Sequence, residues 1–190
     1  ACIILVEDAL DASGGDEKLR FEAARLSLER AEYSEAESHL EELSNNPKSD
    51  ILRSRMLRVK GDLSAADALE SVAIEQMDEE SRIRFTLSCI VRRIEDWIPS
   101  SKYREDANTL LSAIDTFDGS LKAEHPLTAG ARIANEMSRF RLYLDLDDDH
   151  AAQRVLDRLT TASGTRDPIV RRMRLRLDAH RAQPDDVPML

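Results

Sequence analysis

A chain of 190 residues, 42% of them hydrophobic and 34% charged, is long enough for one domain or one uninterrupted repeat array, and apolar enough to bury a core rather than stay disordered. Glycine and proline number six each and aromatics make up 4%, while Leu, Ala, Arg and Glu dominate, which argues against a sandwich or barrel and for helices. The formal charge of -10 disfavours general binding to nucleic acid or to an anionic membrane.

The chain opens on Ala1-Cys2 and an apolar run from Ile3 to Val6. That run is far shorter than the ~20 residues a bilayer span needs, and it lacks the basic region of a signal peptide. Ala1 in place of an initiator methionine reads as a fragment or a processed product. Cys2 and Cys89 form no CxxC and read as reduced thiols of a cytoplasmic protein; a lipoprotein anchor through Cys2 is the alternative. A short helix is expected over 2–12, ended by Ser13-Gly14-Gly15-Asp16.

From there the apolar residues recur with helical period. Residues 17–30 place Leu19, Ala23 and Leu26 on one face, and Ala31-Glu32-Tyr33 is a tight turn. Tyr33, Ala36, Leu40 and Leu43 stripe the next helix, which Asn45-Asn46-Pro47 stops. Ser49-Asp50 is expected to cap a helix carrying Leu52, Met56 and Val59; Gly61-Asp62 turns the chain into a helix with Leu63, Ala66, Leu69 and Ala73. Residues 79–97 carry Ile83, Leu87, Ile90, Val91, Ile94 and Trp97; after a break at Pro99-Ser100-Ser101, residues 101–117 carry Tyr103, Ala107, Leu110, Leu111, Ile114 and Phe117. Asp118-Gly119 is expected to close that helix and Pro126 to open the next, striped by Ile133, Met137, Phe140 and Leu144. An acidic turn at 145–149 precedes a helix over 150–162 with Ala152, Val155, Leu156 and Leu159 inward. Asp167-Pro168 caps a last helix with Val170, Met173 and Leu177. Helices thus come in pairs joined by short turns, and such pairs must stack on their neighbours to bury both faces.

Motifs for chemistry are missing. Asp145-x-Asp147-x-Asp149 starts like a calcium loop, but His150 stands where the turn glycine belongs and Leu156 where the bidentate Glu belongs. His39, His125, His150 and His180 are far apart, and the Glu35–His39 pair alone gives no metal site. No GxSxG, GxGxxG or GxxxxGK[ST] occurs, so no enzyme activity, cofactor or metal is expected. Cys89 lies in an apolar helix and reads as a buried small hydrophobe.

Tyr33-Ser34-Glu35-Ala36 followed by Leu40, Leu43 and Pro47 resembles the second half of a tetratricopeptide repeat, and Gly61-Asp62-Leu63-Ser64-Ala65-Ala66 with Ala73 repeats it. Ala36 to Ala66 is 30 residues, against the usual spacing of about 34. Glu124-His125-Pro126 resembles the longer repeats of the kinesin-light-chain type, and Pro126 to Pro168 is 42 residues. The repeats are degenerate, with Ala23-Ala24 where Leu-Gly is usual. The resemblance implies an all-α fold of antiparallel helix pairs stacked as a right-handed α-solenoid over 17–182, with a cap segment at 1–16 and a flexible tail at 183–190. An unrelated α-solenoid or an irregular helical bundle is the alternative.

Charge is segregated by helix. The first helices of the pairs, taken as 17–30, 50–60, 79–97, 126–144 and 167–181, carry +9 together; the second helices, 34–45, 62–77, 101–117 and 147–162, carry -11. In a tetratricopeptide stack the first helices line the concave face, so the resemblance implies a cationic groove. Its candidates are Arg53, Arg55, Arg58, Arg82, Arg92, Arg132, Arg139, Arg171, Arg172 and Arg174, with Asn135 standing alone where some members carry a carboxylate clamp. Guanidinium forks suit bidentate carboxylate binding, so the expected partner is an acidic protein segment or helix, and the chain a non-enzymatic scaffold. The competing readings are intramolecular pairing of those arginines, a sensor or oligomerisation module of a larger regulator, and RNA binding by Arg171-Arg172-Met173-Arg174-Leu175-Arg176, which lacks stacking aromatics.

Overall fold

A computed structural model describes residues 2–95 and 103–182, with side chains placed over 5–94 and 107–182. The expected break at Pro99-Ser100-Ser101, the side chains of Cys2, Trp97 and Tyr103, and the tail 183–190 lie outside the described residues. The regular elements described are all α-helices: α1 (Cys2–Ser13), α2 (Glu17–Glu29), α3 (Tyr33–Glu42), α4 (Pro47–Val59), α5 (Leu63–Glu75), α6 (Glu79–Glu95), α7 (Tyr103–Ser120), α8 (Thr128–Asp145), α9 (Asp149–Ser163) and α10 (Pro168–Arg181). None is long and apolar enough to cross a membrane. The chain falls into two compact units, Ala1–Arg82 and Ile83–Leu190.

In the first unit, turn chemistry dictates the helix pairs. Asp16 starts α2 by accepting from the N–H groups of Lys18 and Leu19. Past the end of α2 the chain enters the left-handed region at Ala31 (φ 60°), and Glu32 N–H donates back to Ser27 C=O at 2.9 Å. The end of α4 repeats this: Gly61 takes φ 85° and Asp62 N–H donates to Leu57 C=O at 2.9 Å. Both are Schellman endings, in which a left-handed residue lets the chain satisfy the last carbonyls and reverse. Glu32 and Asp62 adopt near-identical torsions, φ -87° and ψ 71° against φ -88° and ψ 73°, and each is the N-cap of the following helix. Asp62 accepts from Ala65 N–H at 3.1 Å, whereas the Glu32 side chain makes no cap bond. The pairs α2–α3 and α4–α5 pack internally, and α4 also packs on α2 and α3. Ala24 and Leu28 of α2, Ala36 and Leu40 of α3, Leu43, and Leu52 and Met56 of α4 form a core shared by α2, α3 and α4. α1 packs on α2 and buries Leu10.

The start of α4 corrects the sequence reading. The cap is Asn46 rather than Ser49-Asp50: Asn46 accepts from Ser49 N–H at 3.0 Å, Ser49 Oγ accepts from Asn46 N–H at 3.1 Å, and Pro47 is the first helical residue. Three residues expected to point inward, Tyr33, Val59 and Leu63, are exposed.

In the second unit, Ile83, Ile90 and Ile94 of α6 pack with Ala107, Leu110, Ile114 and Phe117 of α7 and with Ala131 and Leu142 of α8. A second cluster joins Phe140 of α8, Ala152, Val155, Leu156 and Leu159 of α9, and Val170, Met173 and Leu177 of α10. The α8–α9 connection is a third copy of the same turn: Asp147 has φ 56°, Asp148 N–H reaches Tyr143 C=O at 2.8 Å, and Asp148 (φ -94°, ψ 72°) caps α9 through Ala151 N–H at 2.9 Å. Asp167 and Pro168 start α10 as the sequence suggests. Two expected boundaries move. α7 continues through Gly119 to Ser120, and Pro126 lies in the turn before α8 rather than at its first position. Local bonds explain the second shift, since Leu127 N–H donates to His125 Nδ1 and Thr128 Oγ1 donates to Lys122 C=O, which holds the turn short of Thr128.

Candidate partner-binding surface

The arginines singled out from the sequence fall in both units and do different things. On α4, three of them fasten the first unit together. Arg53 Nη2 donates to Leu40 C=O at 3.0 Å and Leu43 C=O at 2.7 Å, which places its positive charge on the C-terminus of α3, while Nη1 pairs with Asp50 at 2.9 Å. Arg55 Nη2 reaches Leu28 C=O at 3.3 Å, near the end of α2. Arg58 is clamped by Asp67 and Glu70, one turn apart on α5. Burial alone would pull the Arg58 guanidinium down; the hydrogen bond to Asp67 and the charges of Glu70 and Asp67 outweigh it and hold the group above its usual value.

On α8, Arg139 and Asn135 face inward. Arg139, 8% exposed, donates to Asp115 at 2.7 Å and Asp118 at 2.5 Å on α7 and pairs with Glu136 at 2.8 Å. Asn135, fully buried, donates from Nδ2 to the second oxygen of Asp118 at 2.6 Å. Arg158 of α9 grips the other oxygen of Glu136 at 2.7 Å, so one polar network ties α7, α8 and α9. Here too burial opposes the charge of Arg139, and the bonds to Asp115 and Asp118 more than offset it. The sequence stripe is met in part: Phe140 is buried as expected, but Met137, expected inward, is exposed, and Asn135, Ser138 and Arg139 are buried beside it.

α10 is arranged differently. Val170, Met173 and Leu177 turn toward α9 and α8. Its opposite face is exposed and carries Arg171, Arg172, Arg174 and Arg176 around Leu175, which is itself 70% exposed. None of these four arginines makes a hydrogen bond or ion pair among the described residues. The C-terminal end of the helix carries ion pairs, where His180 lies 3.1 Å from Asp149 and 3.4 Å from Asp147, and Arg181 lies 3.3 Å from Asp149. Leu175 and Arg176 are absent from the groove candidates and enter the sequence reading only within the segment weighed for RNA binding. An apolar residue amid arginines on a helix carrying Val170, Met173 and Leu177 was the available signal.

Of the remaining candidates, Arg82 and Arg132 are exposed and without such partners among the described residues, and Arg92 is half-buried. An open polar cleft of about 320 Å³ beside α1, α2 and α3 contains Arg20 and Glu42, which pair with each other. Among the described residues no group of three or more His, Cys, Asp or Glu is placed to hold a metal ion, and Cys89 is buried. No known protein family, curated protein or solved structure matches the chain.

Proposed function

We propose that the chain is a non-enzymatic scaffold of tetratricopeptide-like helix pairs, stacked as a right-handed α-solenoid, that captures an acidic segment of a partner protein on arginines of the first helices. The recurring Schellman turn, at Ala31, Gly61 and Asp147, supports the repeat reading, because it makes three helix pairs from one local rule. The observation that carries the binding reading is α10. Arg53, Arg58 and Arg139 are engaged within the fold, whereas Arg171, Arg172, Arg174 and Arg176 present four unpaired guanidinium groups on one exposed face. Clustered cations of this kind raise the local concentration of an acidic partner and bind carboxylates bidentately.

The test is anisotropy of a labelled oligo-glutamate peptide titrated with the chain at several salt concentrations. Binding should weaken as salt rises, and it should vanish in Arg171→Glu/Arg172→Glu/Arg174→Glu with helicity unchanged. Undiminished binding by that variant refutes the assignment.

A further inference from the structure

We propose that the face of α10 centred on Leu175 docks an amphipathic, acidic helix of a partner protein, laid against α10 as the second helix of a pair is laid against the first. This rests on the acidic-partner reading above and specifies the partner's form. Three observations lead to it.

The first is the layout of the face. Arg171, Arg172, Arg174 and Arg176 stand at positions -4, -3, -1 and +1 from Leu175, so an apolar knob projects from a cationic surround. An anchor buried at the centre and charges at the rim is the anatomy of a binding patch. The charge of α10 is strongly one-sided, five arginines against Asp178 alone.

The second is internal precedent. Two arginines that meet an adjoining helix in this chain are each gripped by two carboxylates three residues apart: Asp67 and Glu70 on Arg58, Asp115 and Asp118 on Arg139. The same adjoining helices contribute small or apolar residues to the contact side, Ala66 and Ala73 on α5 and Ala107, Leu110, Ile114 and Phe117 on α7. A partner that answers α10 by the same rule carries Asp or Glu at i, i+3 beside a stripe of Ala and Leu.

The third is geometric. A knob on a helix fits the hole formed by side chains of a facing helix. Strand addition to a sheet edge, one mode by which extended peptides bind, has no counterpart among the described residues, where no strand occurs.

The experiment uses the full chain and two labelled peptides of about 20 residues, long enough to populate a helix when docked. One has Asp/Glu pairs at i, i+3 flanking an Ala/Leu stripe; the other has the same composition with the register scrambled. The patterned peptide should bind at least ~10-fold more tightly and gain helical circular dichroism on binding. Leu175→Glu and Leu175→Ala should each weaken it, and Arg171→Glu/Arg172→Glu should abolish binding; their substituted side chains are all exposed, so the fold should survive. Equal affinity for both peptides overturns the helical partner while leaving an acidic partner in place. Failure of both peptides overturns the two readings together, as does tighter binding of a single-stranded RNA of similar length. A dimer in light scattering that Leu175→Glu dissolves gives the face to a second copy and also overturns the proposal.

Discussion

Grafting Gly-Asp onto positions 31 and 32 should stabilise the chain, because it writes the sequence of the α4–α5 turn into the α2–α3 turn. Ala31 sits at φ 60° where the equivalent position holds Gly61 at φ 85°, and a Cβ in that region costs ~1–2 kcal/mol. Glycine returns about 0.4–1 kcal/mol of that through the greater freedom of the unfolded chain, which leaves a gain of ~1 kcal/mol for Ala31→Gly. Glu32 is an N-cap without a cap bond, while Asp62 and Asp148 in the same torsions reach Ala65 and Ala151 N–H groups. Glu32→Asp should therefore add about 1 kcal/mol, less what the exposed Arg30–Glu32 pair contributes, which is of the order of 0–1 kcal/mol. The double variant should gain ~1–2 kcal/mol in urea denaturation followed by helical circular dichroism, at unchanged m-value. Gly61→Ala is the reciprocal control: an added Cβ meets nothing within 4 Å, so the expected loss of about 1 kcal/mol is backbone strain less the unfolded-chain gain, with no steric clash. A neutral or destabilised double variant would refute the equivalence of the turns.

Other perturbations separate arginines that hold the fold from those that face outward. Arg139→Ala should destabilise by ~3 kcal/mol in thermal or urea unfolding, since it strands Asp118 and Asn135 in a buried network, whereas Arg172→Ala should change stability by under about 0.5 kcal/mol. Asn46→Ala removes the capping box of α4 and should cost about 1 kcal/mol by the same assay. Asp145, at the end of α8, has its carboxyl pushed up by burial and by Asp147, against the opposing pull of Arg141 and His180. A raised carboxyl favours the fold while protonated, and that contribution is lost as pH rises through the folded-state pKa. Asp145→Asn should therefore raise stability at pH 7, by only a few tenths of a kcal/mol for so exposed a group, and the difference should close by about pH 3.

Helix existence was legible because apolar residues recur at three- and four-residue steps and because Gly61-Asp62 and Asp167-Pro168 are local signals that depend on no distant partner. The Asn46-Pro47 start obeys the same rule as Asp167-Pro168, yet Ser49-Asp50 offered a competing cap, and Ser49 is in fact the third helical residue of the box. Pro126 satisfied the rule and still missed the helix, because bonds at His125 and Thr128 fix the preceding turn. The inward face of α8 was read only in part, for a different reason. Asn135 and Arg139 are buried against Asp115 and Asp118, and such pairing depends on which helix lies opposite, information a single helix does not carry. Charge segregation was visible in the chain, but its meaning divides: on α4 and α8 it marks contacts within each unit, and on α10 it leaves an open cationic face.

Backbone amide chemical-shift mapping during titration with the patterned acidic peptide tests that division most directly. The account predicts shifts concentrated on residues 171–179 of α10, with Arg53, Arg58 and Arg139 and their neighbours unmoved. Shifts centred on α4 or on the α7–α8 network, or spread evenly over the chain, would contradict it.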